Sequence, residues 1–139
     1  MLCQVSVLER IFEMAIYLYE DNRGKVLFLD WYRKICEKDQ SIYRKVNDML
    51  TQMNEQTLPL TRPTVKRMIL RLPYRHLYKI RLGKYRLMFI AQDGDYFIMH
   101  AFRKTTQKTP DKEIHKVDRE IKQHHYIPLK RKMLEENEG

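Results

Sequence analysis

Residues 77–110 read LYKIRLGKYRLMFIAQDGDYFIMHAFRKTTQKTP, and two turn signals in that stretch decide the fold. Gly83 divides LYKIR from KYRLMFIAQ, and Asp93-Gly94 divides that run from DYFIMHAFRK, so the segment predicts three antiparallel strands joined as a meander. Successive side chains of a strand point to opposite faces. Lys79 and Arg81 therefore share one face of the first strand, Arg86, Met88 and Ile90 one face of the second, and His100, Phe102 and Lys104 one face of the third. Cations stand here among residues due for burial, and a sheet that keeps them beside its core generally needs them for an anion. Which of those faces coincide in space is left open by the sequence.

The flanking segments complete an α+β pattern. Residues 11–19 suit a strand that ends at Glu20-Asp21-Asn22 and Gly24, although their first part suits a helix equally well. In KVLFLDWYRKICEKD, the residues Phe28, Leu29, Tyr32, Ile35 and Cys36 fall on one helical stripe. Ser41 offers an N-cap to a second helix, whose buried face would be Ile42, Val46, Met49, Leu50 and Met53. Residues 54–76 hold no sustained period and are interrupted by Pro59, Pro63 and Pro73. A connection of that length implies a functional loop or a short element within VKRMILRL. Beyond the meander, Thr109 is the expected N-cap and Pro110 the first-turn residue of a third helix with the stripe Ile114, Val117 and Ile121. Pro128 closes that pattern, and LKRKMLEENEG reads as a frayed or weakly helical tail. The 139 residues suffice for a single domain, with its core at about 11–124 and a tail at 125–139.

No apolar run approaches the roughly 20 residues that a membrane-spanning helix needs, and MLCQVSVLERIF has no basic flank ahead of an apolar block. A soluble, cytoplasmic protein with no membrane partner is expected. Cys3 and Cys36 are too few for a disulfide framework and lack metal-ligand spacing, so reduced thiols are expected. The formal charge of +9 is unevenly spread. Residues 1–55 hold 8 Lys and Arg against 9 Asp and Glu, residues 56–92 hold 9 against none, and residues 93–139 hold 10 against 9. A carboxylate-free basic stretch through a loop and two strands is an electrostatic footprint for phosphate, although a solvated face or a contact with an acidic protein would use the same charges.

Familiar chemical motifs are missing: no phosphate-binding glycine loop, no nucleophile elbow, no carboxylate pair at helical spacing in an apolar setting. His76, His100, His115, His124 and His125 form no metal pattern. No metal and no cofactor are expected. What remains is a set of strand-borne cations, Lys79, Arg81, Lys84, Arg86, Arg103 and Lys104, with His76 and His100 near them in sequence. Such a set suits cleavage of RNA by its own 2′-hydroxyl. The 2′-oxygen attacks phosphorus, charge builds on the phosphate oxygens, and the 5′-oxygen leaves. Arginine stabilises that charge, while a lysine crowded by other cations has its pKa lowered toward the range where it serves as a base.

These pieces also carry a resemblance. YEDNRGK leading into the first helix, LYKIRLGKYRLMFI over the hairpin, and HAFRKTTQKTP from last strand to last helix make the chain similar to the RelE/HigB toxins of type II toxin-antitoxin systems, most of all their phage-derived HigB branch. The match runs from about residue 16 to 123. It implies a small RelE-like α+β domain: a mainly antiparallel sheet, made of an N-terminal strand and the meander, packed against two N-terminal helices, with a C-terminal helix. It further implies an endoribonuclease that cuts mRNA on the ribosome and is silenced by a cognate antitoxin with a helix-turn-helix domain. By motif position, Arg81 and Arg86 fall where the family presents phosphate-binding arginines, and Lys104 where a basic catalytic residue is expected. His76, Lys79, Lys84, His100 and Arg103 become candidates for substrate contact.

Competing readings remain open at this level. Arg81 and Arg86 would be structural if they paired with helix carboxylates such as Asp30 or Glu37. His100, inside an apolar strand, would be a satisfied core histidine. The ParE branch of the same fold is associated with blocking DNA gyrase, so the fold by itself does not assign nuclease activity, and an inactive nucleic-acid-binding relative fits too.

Overall fold

The meander forms where its turns dictate. The computed structural model describes residues 15–105 and 108–135. Its elements in chain order are β1 (Ile16–Tyr19), α1 (Leu27–Lys38), α2 (Gln40–Glu55), β2 (Val65–Arg67), β3 (Leu77–Leu82), β4 (Tyr85–Gln92), β5 (Asp95–Arg103), α3 (Asp111–Gln123), β6 (Tyr126–Pro128) and α4 (Arg131–Glu135). Asp93 and Gly94 both adopt positive φ, 54° and 83°, as the tight β4–β5 hairpin requires. Residues 11–14 of the expected first strand lie outside the described residues.

One six-stranded sheet runs in the order β2-β3-β4-β5-β1-β6. All pairings are antiparallel except β1 with β5, where Ile16, Tyr17 and Leu18 face Tyr96, Phe97 and Ile98 in parallel. Both faces are covered, by different helices. On one face Phe28, Leu29, Tyr32 and Ile35 of α1 and Ile42, Val46, Met49, Leu50 and Met53 of α2 pack on Ile80, Leu82, Leu87, Phe89 and Ile98. These are the helical stripes that periodicity predicted, except that Cys36 is only half-buried. On the other face Ile114 and Val117 of α3 pack with Leu77, Met88, Met99 and Phe102.

Several local expectations are corrected. Ser41 does not cap α2; Asp39 does, its carboxylate accepting from Ile42 N at 3.1 Å, because the helix starts one residue before Ser41. Thr109 does not cap α3, which begins after Pro110 without a side-chain cap. The short element expected within VKRMILRL is borne out: a three-residue strand forms at Val65–Arg67, following a cis Arg62–Pro63 peptide bond, and pairs with β3. The segment read as a tail contributes structure: β6 pairs with β1, and Leu129 is buried in the helix-side core.

A bulge interrupts β4–β5. Leu87 pairs with Ala101 and Phe89 with Ile98, so three steps along β5 match two along β4. Met99 and His100 therefore both stand opposite Met88, and both project toward α3. His100 is 3% exposed there, with Nδ1 at 2.9 Å from Glu120 Oε1 and Nε2 at 2.6 Å from Glu113 Oε2. Glu120, a charged residue inside the buried stripe of α3, is explained by that contact.

Candidate active site

The faces left unassigned by alternation turn out to be one. Lys79 and Arg81 of β3, Arg86 of β4 and Phe102 of β5 lie on the α3 side of the sheet, and α3 covers only part of it. Lys104 extends the β5 ladder by one step, its N–H donating to Lys84 O at 2.8 Å, so its side chain stays on the face of Phe102. The uncovered area is a cleft of about 340 Å³, walled by residues 62–66 on one side and Thr109-Pro110 on the other. Arg62, Lys66, Lys79, Arg81, Arg86 and Lys104 line it, and among the described residues no carboxylate does.

The pairing register brings like charges face to face. Lys66 is the cross-strand partner of Lys79, and Arg81 that of Arg86. Like charges directly opposite each other destabilise a sheet, so packing alone would not favour this arrangement. Arg86 is 8% exposed and its Nη1 donates to the carbonyls of Gly83 and Tyr85 at 2.7 and 2.8 Å. Burial first, and Arg81 second, hold its pKa below the usual arginine value. It stays a cation nonetheless. Among the described residues neither Arg81 nor Arg86 forms an ion pair with a carboxylate. Asp30 instead contacts Lys25 and Arg33 on the opposite face.

Lys79 is the most perturbed cation of the cleft. Desolvation, followed by the charges of Lys66, Arg86, Lys104 and Arg71, pushes its pKa from 10.5 down to about 8. Its Nζ donates to Thr109 Oγ1 at 2.6 Å. Arg71, from the segment between β2 and β3, donates through Nη2 to Thr109 O and to Asp111 Oδ1, both at 3.1 Å, and so fastens that wall.

Of the residues singled out from sequence, the fold thus gathers Lys79, Arg81, Arg86 and Lys104. The other four stand elsewhere. Lys84 is exposed, pairs with Asp39 at 3.7 Å and lies over the Tyr85 ring. Arg103 alternates to the face opposite Phe102 and Lys104, His76 is exposed ahead of β3, and His100 is the core histidine beneath α3. Lys66, Arg62 and Thr109 join the cleft unannounced; the absence of carboxylates over residues 56–92 was the one sequence signal covering the first two. Among the described residues no group of three His, Cys, Asp or Glu side chains is placed to hold a metal, and no helix is long and apolar enough to cross a membrane.

A mixed α+β fold of this order, a six-stranded, mostly antiparallel sheet with helices packed on its faces and one at the C-terminal end, is that of a RelE-like domain. Residues 33–122 match the family described as Phage derived protein Gp49-like (DUF891), and the chain belongs to it. That family is a RelE-like toxin family of toxin-antitoxin systems. No curated protein matches the chain.

Proposed function

We propose that the protein is a HigB-like toxin that cleaves mRNA on the ribosome by metal-independent attack of the 2′-hydroxyl, and that a cognate antitoxin with a helix-turn-helix domain silences it. The observation that carries this reading is the cleft itself: among the described residues six cations line it, four of them in two like-charged cross-strand pairs, and no carboxylate does. A scissile phosphodiester placed there meets Arg81 and Arg86 at its non-bridging oxygens, where charge grows in the transition state.

Lys79 then takes the proton of the 2′-hydroxyl. With a pKa of about 8 it is neutral in about a tenth of molecules at pH 7, where an ordinary lysine is almost wholly charged. Lys104, just past the end of β5 and separated from Lys79 by β4, protonates the departing 5′-oxygen. The products are a 2′,3′-cyclic phosphate and a 5′-hydroxyl. The lining offers lysine, arginine and threonine, a donor set suited to phosphate and unsuited to a hard divalent cation, which takes oxygen ligands.

The test is cleavage of a defined mRNA with and without ribosomes in EDTA, with end-group analysis. Cyclic-phosphate ends, and no cut where deoxyribose replaces the ribose 5′ to the scissile phosphate, are expected. Intact mRNA in both settings, or cutting of the deoxy-substituted strand, would overturn the reading. Intact mRNA would return the protein to the class of toxins that block a protein target.

A further inference from the structure

The cationic cleft has a neighbour. A second cleft of about 520 Å³ opens between α2, residues 58–64 and the end of β3. Arg62, Pro63, Thr64 and Arg81 line both, so the two share a wall. The chemistry changes across it. The second cleft has an apolar floor that includes Met49, Leu58 and Ile80, and it carries Asp48 and Gln52 from successive turns of α2.

Asp48 is exposed and, among the described residues, makes no ion pair, although Lys45 and Arg62 line the same cleft. A carboxylate beside a site for RNA phosphate opposes the RNA backbone by charge. Its position has a use if the group that lies against it offers hydrogen-bond donors. An apolar surface edged by an acceptor and an amide, one wall away from a phosphate site, matches a nucleobase, which has flat apolar faces and a polar edge.

We infer that this cleft binds the base of the nucleotide next to the phosphate held by Arg81 and Arg86, and that Asp48 makes guanine the preferred base. Guanine presents two adjacent N–H donors on its Watson–Crick edge, N1–H and the 2-amino group, and one carboxylate accepts both. Uracil presents a single N–H flanked by two carbonyls that repel a carboxylate. Adenine turns an acceptor nitrogen toward it beside its one amino group. The inference rests on the nuclease reading only in identifying the neighbouring phosphate as that of RNA.

The experiment is an NMR titration of the intact protein with guanosine 3′-monophosphate, uridine 3′-monophosphate and inorganic phosphate. Phosphate alone is expected to move amides around Lys79, Arg81 and Arg86. The guanine nucleotide should also move residues 48–52 and 58–64, with a Kd about tenfold below that of the uridine nucleotide, the scale of a bidentate base contact. Asp48→Ala and the isosteric Asp48→Asn should each bring the two nucleotides within about twofold, since one removes the acceptor pair and the other replaces half of it with a donor. Shifts confined to the cationic cleft with every probe, or a guanine preference that survives both variants, would overturn the inference. Because binding is read without cleavage, guanine selection by a protein that cuts no RNA refutes the nuclease reading alone. Cleavage without guanine selection refutes the base cleft alone.

Discussion

Lys79→Met separates what the ammonium does for chemistry from what it does to the fold. Methionine keeps most of the apolar stem and removes the charge. A Lys79 pKa lowered from 10.5 to about 8 means that the folded protein disfavours the ammonium. At 1.36 kcal/mol per pH unit, the full gap is worth about 3.4 kcal/mol. Lys79 is only half-buried, so solvent screening reduces that to about 1–1.5 kcal/mol. The variant also loses the hydrogen bond to Thr109, worth about 1 kcal/mol. The two effects nearly cancel at pH 7, where the variant should lie within about 1 kcal/mol of wild type.

The pH dependence exposes the charge. Between pH 8 and 10.5 the unfolded chain still binds the Lys79 proton and the folded protein has released it, so wild-type stability rises with pH across that window. The variant lacks this gain, and wild type should advance on it by about 1–1.5 kcal/mol between pH 7 and 10.5. Urea unfolding of both proteins at pH 7, 8, 9 and 10.5 measures the difference, and other titrating groups cancel. RNA cleavage by the variant should fall by about 10²–10⁴, the contribution of a positioned base. A stability difference that stays flat with pH, or cleavage within about threefold of wild type, would refute the reasoning.

Three further outcomes are expected. Arg86→Ala should slow RNA cleavage by about 10²–10³ while the protein melts cooperatively, because among the described residues the guanidinium hydrogen-bonds the nearby carbonyls of Gly83 and Tyr85 and pairs with no carboxylate; cleavage rate and thermal melting are read on one sample. Glu120→Ala should cost about 3–5 kcal/mol in urea unfolding, since it strips a buried partner from His100 beneath α3, and a loss under 1 kcal/mol would show that the contact carries little. Association with an acidic antitoxin segment should slow markedly as salt rises, because the cleft cations steer the encounter; stopped-flow rates at low and high ionic strength test this.

Alternation and turn residues made the central architecture legible. Gly83 and Asp93-Gly94 placed the hairpins, and period-two reading put Lys79, Arg81, Arg86 and Lys104 on consistent strand faces. Two α-helical stripes were equally plain, because each buries a continuous apolar face. The parts that stayed hidden depend on distant partners. β2 was legible only as an unspecified short element, because its strand form and register come from pairing with β3. β6 forms because β1 offers an edge, and Leu129 follows it into the core. Nothing local marks Glu120 for burial, because its place is set by His100, a partner on β5. Lys66 and Thr109 enter the cleft from flanking segments, so proximity along the chain favoured Lys84 and Arg103, which the fold turns away.

The two ends of the sheet bear on how this protein meets others. Among the described residues its outermost strands, β2 and β6, are three residues each. Lys66 and Arg67 stand exposed on one, and Pro128 deprives the other of an N–H. Short, charged or proline-bearing borders give an incoming strand little to zip against, which guards a six-stranded sheet from sticking to copies of itself. The same guard works against recognition by strand addition, the mode in which a peptide extends a sheet through main-chain hydrogen bonds. A partner of this protein is therefore expected to grip side chains across a face, with its specificity written in those side chains.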